Sequence, residues 1–530
     1  MYSTLSIYLA ILIYCNIFLL TTSFSALSGQ SSYVNEVSSI SSPITNTFTS
    51  RLHRHTSPTS LKTKSTTTVN PYHNIIPTLV SSTSNVNITN LFQIHTMGLW
   101  FSSISLVSSI TSEIGLDYFA SGGDWENPPY FFYLAAGSMD TGDLYYNITN
   151  IDPGNIWPRG GKNTNTGYSG INFNTFTTNF ADFTTTSAIP VWSNIINSPT
   201  DNVWETGPAI QMSNDNSLIV TAATLVPNDN PLGTKFATIA VMNTSTYPTS
   251  TIFTDNSWPN ATGFELLHVS DNGKIVVMVS AIQNNDGSIH TSLVRIYNIF
   301  LNLTISSFIT PYAFTGCLSP DGHYLVLGTT DSEDRIDVYY INETTLLPIV
   351  NSSYPTLPGT FQYIATCRVN NNGLLMSTFA IFWGDSMNQS AVGSYQLQSS
   401  PMTPPIQPLW LYLTTPSSDT LQDTPEQDIL LDDIYIYTSW GGTNLNGTEA
   451  IPTVHIYNTS TGASGPIAEI ITYASPLAGG PNISGSLGEI DIAYAQDGTN
   501  DIILLSDGQD GHANIGSYSG AIYSWRLHFE

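Results

Sequence analysis

Several carboxylates near the C-terminus have residue types suited to binding a metal. Asp501, Asp507 and Asp510 lie among glycines, and His512 follows closely. Ca²⁺ prefers several oxygen ligands presented by flexible, acidic loops. We therefore predict Ca²⁺ as the candidate cofactor, held by Asp501, Asp507 and Asp510. Their spacing matches no recognised calcium loop, so a solvated acidic surface is the alternative. A second acidic segment, 419–433, has the same two interpretations.

Two tryptophans are candidate binding residues. Trp157 and Trp258 are each followed by proline in polar sequence, which favours loops. Aromatic side chains supply much of the binding energy in protein and glycan recognition. We predict that both are exposed and bind an extracellular protein or a glycan. Packing between neighbouring structural units of the fold is the alternative for each.

The chain has 11 sequons for N-glycosylation. Asn, Ser and Thr are frequent enough for chance to produce about this number, so the count alone is not evidence of use. Several sequons lie in predicted turns, where Asn and Ser or Thr also serve turn chemistry. We expect several to be glycosylated. The asparagines are Asn87, Asn147, Asn243, Asn260, Asn302, Asn342, Asn351, Asn388, Asn446, Asn458 and Asn482.

The elements that would position these residues repeat along the chain. Each repeat has a turn, followed 20 to 27 residues later by a short aromatic or aliphatic strand that ends in a polar residue. A period of about 45 to 65 residues, built from strands and turns, is typical of β-propeller blades. The turns are 213–216, 270–273, 319–322, 370–373 and 495–498; the strand ends are 241–243, 296–298, 340–342, 394–396 and 522–524, with two more at 144–147 and 455–458.

The clearest unit, 312–350, predicts four antiparallel strands. A small, apolar stretch (313–317) precedes Ser-Pro-Asp-Gly (319–322), whose Pro and Gly favour a hairpin turn. Strands 324–327 and 336–341 are β-branched and aromatic. The stretch 346–350 contains a proline, which an outer strand tolerates. Helical periodicity is nearly absent from 120 onward, so we predict an all-β fold.

These residues resemble the broad group of WD-repeat, YVTN-type and TolB-like propellers. Ser319-Pro-Asp-Gly322 and Ile456-Tyr-Asn-Thr-Ser-Thr-Gly462 look like two of the group's turns. No Trp-Asp closes a blade and no Gly-His opens one, so the strict WD-repeat pattern is missing. The resemblance implies a fold and partner binding on loop faces; it implies no chemistry.

Blade counting predicts a single propeller of seven four-stranded blades. The 96-residue interval between the strand ends at 147 and 243 leaves room for an eighth blade within 168–208. The last unit lacks an outer strand, so a segment within 90–107 should pair with 521–527 and cover the open edge. Cys317 and Cys367 fall on the inner strands of consecutive blades. We favour two buried thiols over a disulfide there, because adjacent inner strands usually diverge beyond bridging distance.

The N-terminal sequence predicts a signal peptide followed by a disordered stalk. Residues 5–20 are apolar and precede small residues, which predicts a signal peptide over 1–26, although no basic residue comes first. An uncleaved signal anchor is the alternative. In 31–70, 19 residues are Ser or Thr, which predicts a disordered stalk over 27–89 and a propeller over 90–530. The apolar stretch 91–110 favours strands, so we predict no transmembrane span in the mature chain.

Composition and motifs limit the function. The net charge is −27, and only 12 residues are Lys or Arg, so we predict no nucleic-acid partner. No Gly-x-Ser-x-Gly, His-Glu-x-x-His or glycine-rich phosphate loop occurs. We predict a secreted or cell-surface glycoprotein that acts as an extracellular binding or structural module. The alternative is a lactonase-like or other hydrolase with a divalent metal in the central channel.

Overall fold

The structure is a computed structural model, and the chain divides into two units, Met1–Thr68 and Val69–Glu530. The described residues all lie in the second unit. They are 78–82, 86–97, 100–109, 112–124, 131–150, 166–172, 177–182, 190–195, 202–205, 210–214, 217–227, 236–243, 251–258, 261–283, 288–329, 335–353, 357, 361–383, 386–413, 421–423, 428–431, 434–440, 442–444, 453–471, 485–512 and 517–530.

Two strands precede the repeating sheets, and they are β1 (Thr78–Ser82) and β2 (Val86–Met97). Sheet 1 contains β3 (Trp100–Ser108), β4 (Leu116–Asp124), β5 (Phe131–Ser138) and β6 (Leu144–Asn150). Sheet 2 contains β7 (Thr166–Asn172), β8 (Thr177–Asp182) and β9 (Pro190–Ile195). Sheet 3 contains β10 (Asn202–Glu205), β11 (Ile210–Met212), β12 (Leu218–Pro227), β13 (Phe236–Asn243) and β14 (Thr251–Trp258).

Three four-stranded sheets follow. Sheet 4 contains β15 (Ala261–Val269), β16 (Ile275–Gln283), β17 (Ile289–Asn298) and β18 (Leu303–Pro311). Sheet 5 contains β19 (Ala313–Leu318), β20 (Tyr324–Thr329), β21 (Arg335–Asn342) and β22 (Thr345–Ser353). Sheet 6 contains β23 (Phe361–Val369), β24 (Leu374–Trp383), β25 (Ser386–Gln396) and β26 (Trp410–Leu413).

The last two sheets recruit the N-terminal strands. A two-stranded ribbon of β27 (Leu421–Asp423) and β30 (Gly442–Asn444) accompanies them. Sheet 7 contains β28 (Asp428–Leu431), β29 (Tyr435–Trp440), β31 (Thr453–Asn458), β32 (Ala468–Ile471) and β1. Sheet 8 contains β33 (Gly485–Tyr494), β34 (Ile502–His512), β35 (Ser517–Phe529) and β2. A short 3₁₀ helix, Gly462–Ser464, lies between β31 and β32.

The sheets are the blades of a β-propeller, as the sequence predicted. All described pairings are antiparallel, and most join strands that follow each other in the chain. The first strands of successive sheets contact one another. These contacts run from β7 to β11, β15, β19, β23, β28, β33 and β3, so the first strands surround the axis. Eight described sheets have three or more strands. Sheet 2 lies where the sequence left room for an eighth blade, and the choice between seven and eight remains a prediction.

The recurring turn has a defined geometry. Ser270 and Ser319 each accept a hydrogen bond at 2.9 Å through Oγ, from the backbone N–H groups of Ile275 and Tyr324. Gly322 has φ 81°, and a Cβ there would lie 2.8 Å from Ile275 Cγ1 of sheet 4. Glycine therefore satisfies both the left-handed backbone and the close contact between sheets. The repeated Ser and Gly reverse the first strand and pack one blade on the next.

The predicted closure is confirmed, with a longer strand. β2 pairs antiparallel with β35, from Val86 opposite Phe529 to Met97 opposite Ser519. Sheet 7 gains a further strand that the sequence did not predict, because β1 pairs with the short outer strand β32. Both strands protect an edge from pairing with another chain. They also place regular structure at 78–82 and 86–89, within the predicted stalk of 27–89.

The hydrophobic core lies between neighbouring sheets. Val241 of sheet 3 packs with Met278 and Tyr297 of sheet 4, and all three side chains are fully buried. Comparable clusters join sheet 4 to sheet 5, sheet 7 to sheet 8 and sheet 8 to sheet 1. Each blade therefore depends on its neighbours for burial.

The predicted unit 312–350 is confirmed, strand by strand, as sheet 5. Two other expectations were wrong. Segment 144–147 was expected to end a third strand, but it begins β6, the outer strand of sheet 1. Segment 522–524 lies inside the long strand β35 and does not end it. Within the described part of the chain, no helix is long and apolar enough to span a membrane.

A candidate binding groove between two blades

A groove of about 380 Å³ opens at the outer side of the interface between sheets 3 and 4. The outer strand β14 forms one wall, and β17 with the outer strand β18 forms the other. Hydroxyl groups dominate the lining, together with one aromatic ring and one ion pair. The lining residues are Phe253, Thr254, Asp255, Ser257, Arg295, Thr304 and Ser307.

An ion pair joins the two walls. Arg295 Nη1 lies 2.7 Å from Asp255 Oδ2 and donates to Ser257 Oγ at 2.8 Å. The Tyr297 hydroxyl donates to the same Asp255 oxygen at 2.7 Å. Asp255 Oδ1 accepts from the backbone N–H of Ser257 at 2.9 Å and from its hydroxyl at 2.7 Å. All four acceptor positions of the carboxylate are thus used, which fixes the walls relative to each other.

The surroundings shift two pKa values in this network. Burial raises the pKa of Asp255, but hydrogen bonds from Ser257 and Tyr297, with the charge of Arg295, outweigh it and hold this pKa below its usual value. Burial and the neighbouring Asp255 carboxylate raise the pKa of Tyr297. The network therefore contains a carboxylate that stays ionised, in the groove, and a buried tyrosine beneath it that stays protonated near neutral pH.

Trp258 closes the inner end of this network, which corrects its predicted exposure. Its side chain is 1% exposed and packs in the cluster between sheets 3 and 4. The Arg295 guanidinium lies over its indole, with Cζ 4.7 Å from the ring centroid. The alternative interpretation, packing between blades, therefore holds for Trp258. Trp157 lies outside the described residues.

The predicted calcium segment forms a strand. Residues 502–512 are β34, which pairs with β33 and β35. Asp507 and Asp510 belong to this strand, and Asp501 immediately precedes it. A Ca²⁺ site at these three residues stays a prediction. Among the residues that the structure describes, no group of three or more His, Cys, Asp and Glu side chains could hold a metal.

Asp501 has protein partners instead. Its carboxylate accepts from Arg526 Nε and lies 2.7 Å from His528 Nδ1. Arg526 also pairs with Asp497 at 2.5 Å. Burial raises the pKa of Asp501, but hydrogen bonds from His528 and Arg526 outweigh it and hold this pKa below its usual value. This cluster connects the β33–β34 turn to the end of β35.

The two cysteines are bridged, contrary to the favoured interpretation. Cys317 on β19 and Cys367 on β23 form a disulfide, with their Cα atoms 5.8 Å apart. Both side chains are 1% exposed. The expectation of diverging strands was wrong because both residues lie on first strands, which contact each other around the axis. The distance suits a disulfide.

The described sequon asparagines are accessible. Asn87, Asn302, Asn342 and Asn351 are exposed, and Asn243 and Asn458 are partly exposed. Asn147 and Asn388 lie in β6 and β25. Asn147 was expected in a turn and lies within an outer strand instead. Asn260, Asn446 and Asn482 lie outside the described residues.

Comparisons with known proteins name no family for this chain. No family model and no curated protein sequence matches the chain. Sqt1 from Chaetomium thermophilum, bound to the N-terminus of ribosomal protein L10, has 9% identity and a TM-score of 0.48 over 80% of this chain and 96% of that chain. The WD40 domain of SCAP from fission yeast has 10% identity and a TM-score of 0.42 over 83% and 98%.

A third solved structure has the same architecture. The β-propeller domain of the Trilobed protease from Pyrococcus furiosus has 9% identity and a TM-score of 0.37 over 78% of this chain and 95% of that chain. These likenesses concern the fold alone. The propeller fold of this chain is assigned from the order of strands in each sheet and from the contacts between the first strands of successive sheets.

Sequence reasoning predicted none of the residues that line the groove. Asp255 and Arg295 are 40 residues apart and belong to different blades. One local signal existed: Arg295 is one of only 12 basic residues, and it lies in an apolar strand. A cation at that position needs a nearby carboxylate, but the sequence does not say which one.

Proposed function

We propose that this chain is a secreted or cell-surface glycoprotein whose propeller binds an extracellular protein or a glycan. The observation that carries the proposal is the Cys317–Cys367 disulfide between blades. Disulfides form and persist in oxidising compartments and are rare where thiols are kept reduced. A buried bridge that joins two first strands fits a protein that folds in a secretory pathway.

The accessible sequons support the same proposal. All six sequon asparagines whose side chains are described are at least partly exposed. They lie on outer strands or at the hairpins between third and fourth strands, where a glycan meets solvent and not another blade. The low content of charged residues, 10% of the chain, together with many hydroxyl and amide side chains also suits a glycosylated surface.

The groove between sheets 3 and 4 supports the binding role. Its hydroxyl groups can orient a polar ligand by hydrogen bonds, and its aromatic ring can supply apolar contact area. Because Asp255 is saturated by protein donors, a ligand would meet chiefly the hydroxyls of Thr304 and Ser307 and the ring of Phe253. An extended peptide or a saccharide fits such a lining.

Two measurements on protein secreted from eukaryotic cells test whether the chain is a disulfide-bonded glycoprotein. Peptide mapping without reductant should recover Cys317 linked to Cys367, and glycosidase treatment should lower the mass at several sequons. Free thiols at both positions, with no glycan at any sequon, would contradict the proposal.

A matched pair of variants tests the groove. The probe is the labelled protein on an array of glycans and of displayed extracellular peptides. Ser307→Trp fills the groove and should weaken any binding at least tenfold, about 1.4 kcal/mol. Thr345→Trp, at an exposed position on β22 outside the groove, should leave binding unchanged. Equal binding by both variants would place the interface elsewhere.

A further inference from the structure

The hairpin between β17 and β18 exposes two adjacent apolar side chains. Phe300 is 60% exposed and Leu301 is 52% exposed. The next residue, Asn302, is an exposed sequon asparagine with φ 49°. Two adjacent large apolar side chains at a hairpin tip offer apolar surface that another group can cover.

The hairpin is held in one conformation. The backbone N–H of Asn302 donates to the Ile299 carbonyl at 3.1 Å, and that of Leu301 donates to Asn298 Oδ1 at 3.1 Å. Ile299 is tied to the neighbouring turn, because its N–H donates to the Lys274 carbonyl at 2.9 Å. The tip is therefore preorganised, and ordering it costs little when something binds there.

The sequon and the exposed aromatic ring share this tip. Phe300, Asn302 and Thr304 are two residues apart in turn, and all three are exposed. The pairing of β17 with β18 shifts at Ile305, immediately after Thr304. Asn302, in the left-handed region, lies at the reversal of the chain, with the aromatic residue two positions before it and the hydroxyl residue two positions after it.

We propose that Asn302 carries an N-linked glycan whose first sugar packs on the ring of Phe300 and stabilises the hairpin. The C–H groups on one face of an N-acetylglucosamine are apolar and weakly positive, and they complement the negative face of an aromatic ring. The sugar would cover apolar surface that the protein leaves exposed. This inference rests on the proposed secretory function.

The modification balances as a simple transfer. The bond between sugar C1 and the pyrophosphate oxygen of a lipid-linked oligosaccharide breaks, and a bond between C1 and Asn302 Nδ2 forms. Nδ2 loses one proton and keeps the other, and the lipid pyrophosphate leaves with the transferred proton. No oxidant or reductant takes part.

Asn342 provides a matched comparison within the chain. Tyr340-Ile-Asn342-Glu-Thr344 has the same aromatic-x-Asn-x-Thr order as Phe300-Leu-Asn302-Leu-Thr304. The ring of Tyr340, however, stacks on His323 at a centroid distance of 5.4 Å and meets Tyr324 edge-on at 5.3 Å. Its neighbours occupy it, so a sugar at Asn342 lacks the surface that Phe300 offers.

A double-mutant cycle on the secreted full chain tests the inference. Asn302→Asp removes the glycan with a residue that also tolerates the left-handed region, and Thr304→Val removes it without changing Asn302. Either change should lower the thermal midpoint by about 2 °C more when residue 300 is Phe than after Phe300→Ala. Trimming the glycan to its first sugar should preserve the stabilisation. The parallel cycle with Tyr340→Ala and Asn342→Asp should show no coupling.

The outcomes separate this inference from the function it rests on. Glycans at other sequons with Asn302 bare, or an occupied Asn302 without coupling to Phe300, would overturn the inference and leave the secreted glycoprotein standing. No glycan at any sequon would overturn both. Occupancy is measured by mass spectrometry of glycopeptides, independently of stability.

Discussion

The interface between sheets 3 and 4 and the interface between sheets 5 and 6 hold adjacent blades together in different ways. Between sheets 5 and 6, a disulfide joins the first strands near the axis. At the outer side, the segment before β26 lies on β22: Met402 N–H donates to the Ile349 carbonyl at 2.8 Å, and Ile406 N–H donates to Ser352 Oγ at 2.9 Å. Chain therefore covers that outer side.

Between sheets 3 and 4, the outer side remains open as the groove. There Asp255, Arg295 and Trp258 connect the walls through side chains alone. Blades diverge away from the axis, so a gap at the outer side must be filled by backbone or spanned by long side chains. The interface between sheets 3 and 4 keeps a cleft that a ligand could enter, whereas backbone of 402–406 lies over the outer side of the interface between sheets 5 and 6.

The largest expected effect on stability comes from removing the Trp258 side chain between sheets 3 and 4. Trp258→Ala should lower the free energy of unfolding by about 3–5 kcal/mol, because it leaves a cavity between two blades and uncovers Arg295. Urea unfolding measures it. Ile252→Ala, on the same strand at a 41% exposed side chain, should cost less than about 1 kcal/mol. Full stability of the Trp258 variant with loss of ligand binding would restore the exposed-anchor interpretation.

The interface between sheets 5 and 6 should lose less stability than this when its disulfide is removed. Replacing both Cys317 and Cys367 by serine should cost about 2–4 kcal/mol, since the bridge restricts the unfolded chain over a 50-residue separation. Reductant should destabilise the unmodified protein and leave the double variant unaffected. Equal stability of the two proteins without reductant would show that packing alone holds these strands.

The Asp255–Arg295 ion pair between sheets 3 and 4 should contribute still less to the stability. Asp255→Asn keeps the shape but leaves Arg295, whose side chain is 13% exposed, without its countercharge. We expect a loss of about 2 kcal/mol. Asp497→Asn breaks a more exposed pair with Arg526 and should change stability little. Comparable losses for the two variants would mean that the groove network is an ordinary surface ion pair.

What the sequence predicted well is local. Ser319, Pro320 and Gly322 determine a turn through their own backbone preferences and one side-chain hydrogen bond, so the turns and the strands beside them could be located. Closure by an N-terminal strand also followed, because the last blade visibly lacks a partner. Such features require only neighbouring residues or a count of strands.

The failures concern contacts between blades. Trp258 is followed by Pro259 in polar sequence, and nothing nearby reveals that Arg295 of the next blade covers it. The glycines around Asp507 suggested a loop, whereas pairing with two neighbouring strands makes the segment a strand. The Cys317–Cys367 distance is set by the ring of first strands. In each case the deciding partner lies many residues away.

The smallest expected effect concerns the inner side, at the interface between sheets 4 and 5. His268 lies on β15, and burial lowers its pKa to about 4, with a further contribution from the charge of Arg368 and a partial offset from the backbone of Gly316 on β19. The unfolded chain binds a proton below about pH 6.5, where the folded protein does not. Stability is therefore complete above that pH and falls as the pH decreases towards 4.

His268→Gln should remove this loss of stability at acidic pH. Between pH 7.5 and 5.5, the unmodified protein should lose about 1.4 kcal/mol more than the variant, which is the linkage expected for one such proton. Other titrating groups are shared, so they cancel in the difference between the two proteins. Urea unfolding at both pH values measures that difference. If the two proteins lost stability equally, the first strands near the axis would be held without a neutral His268.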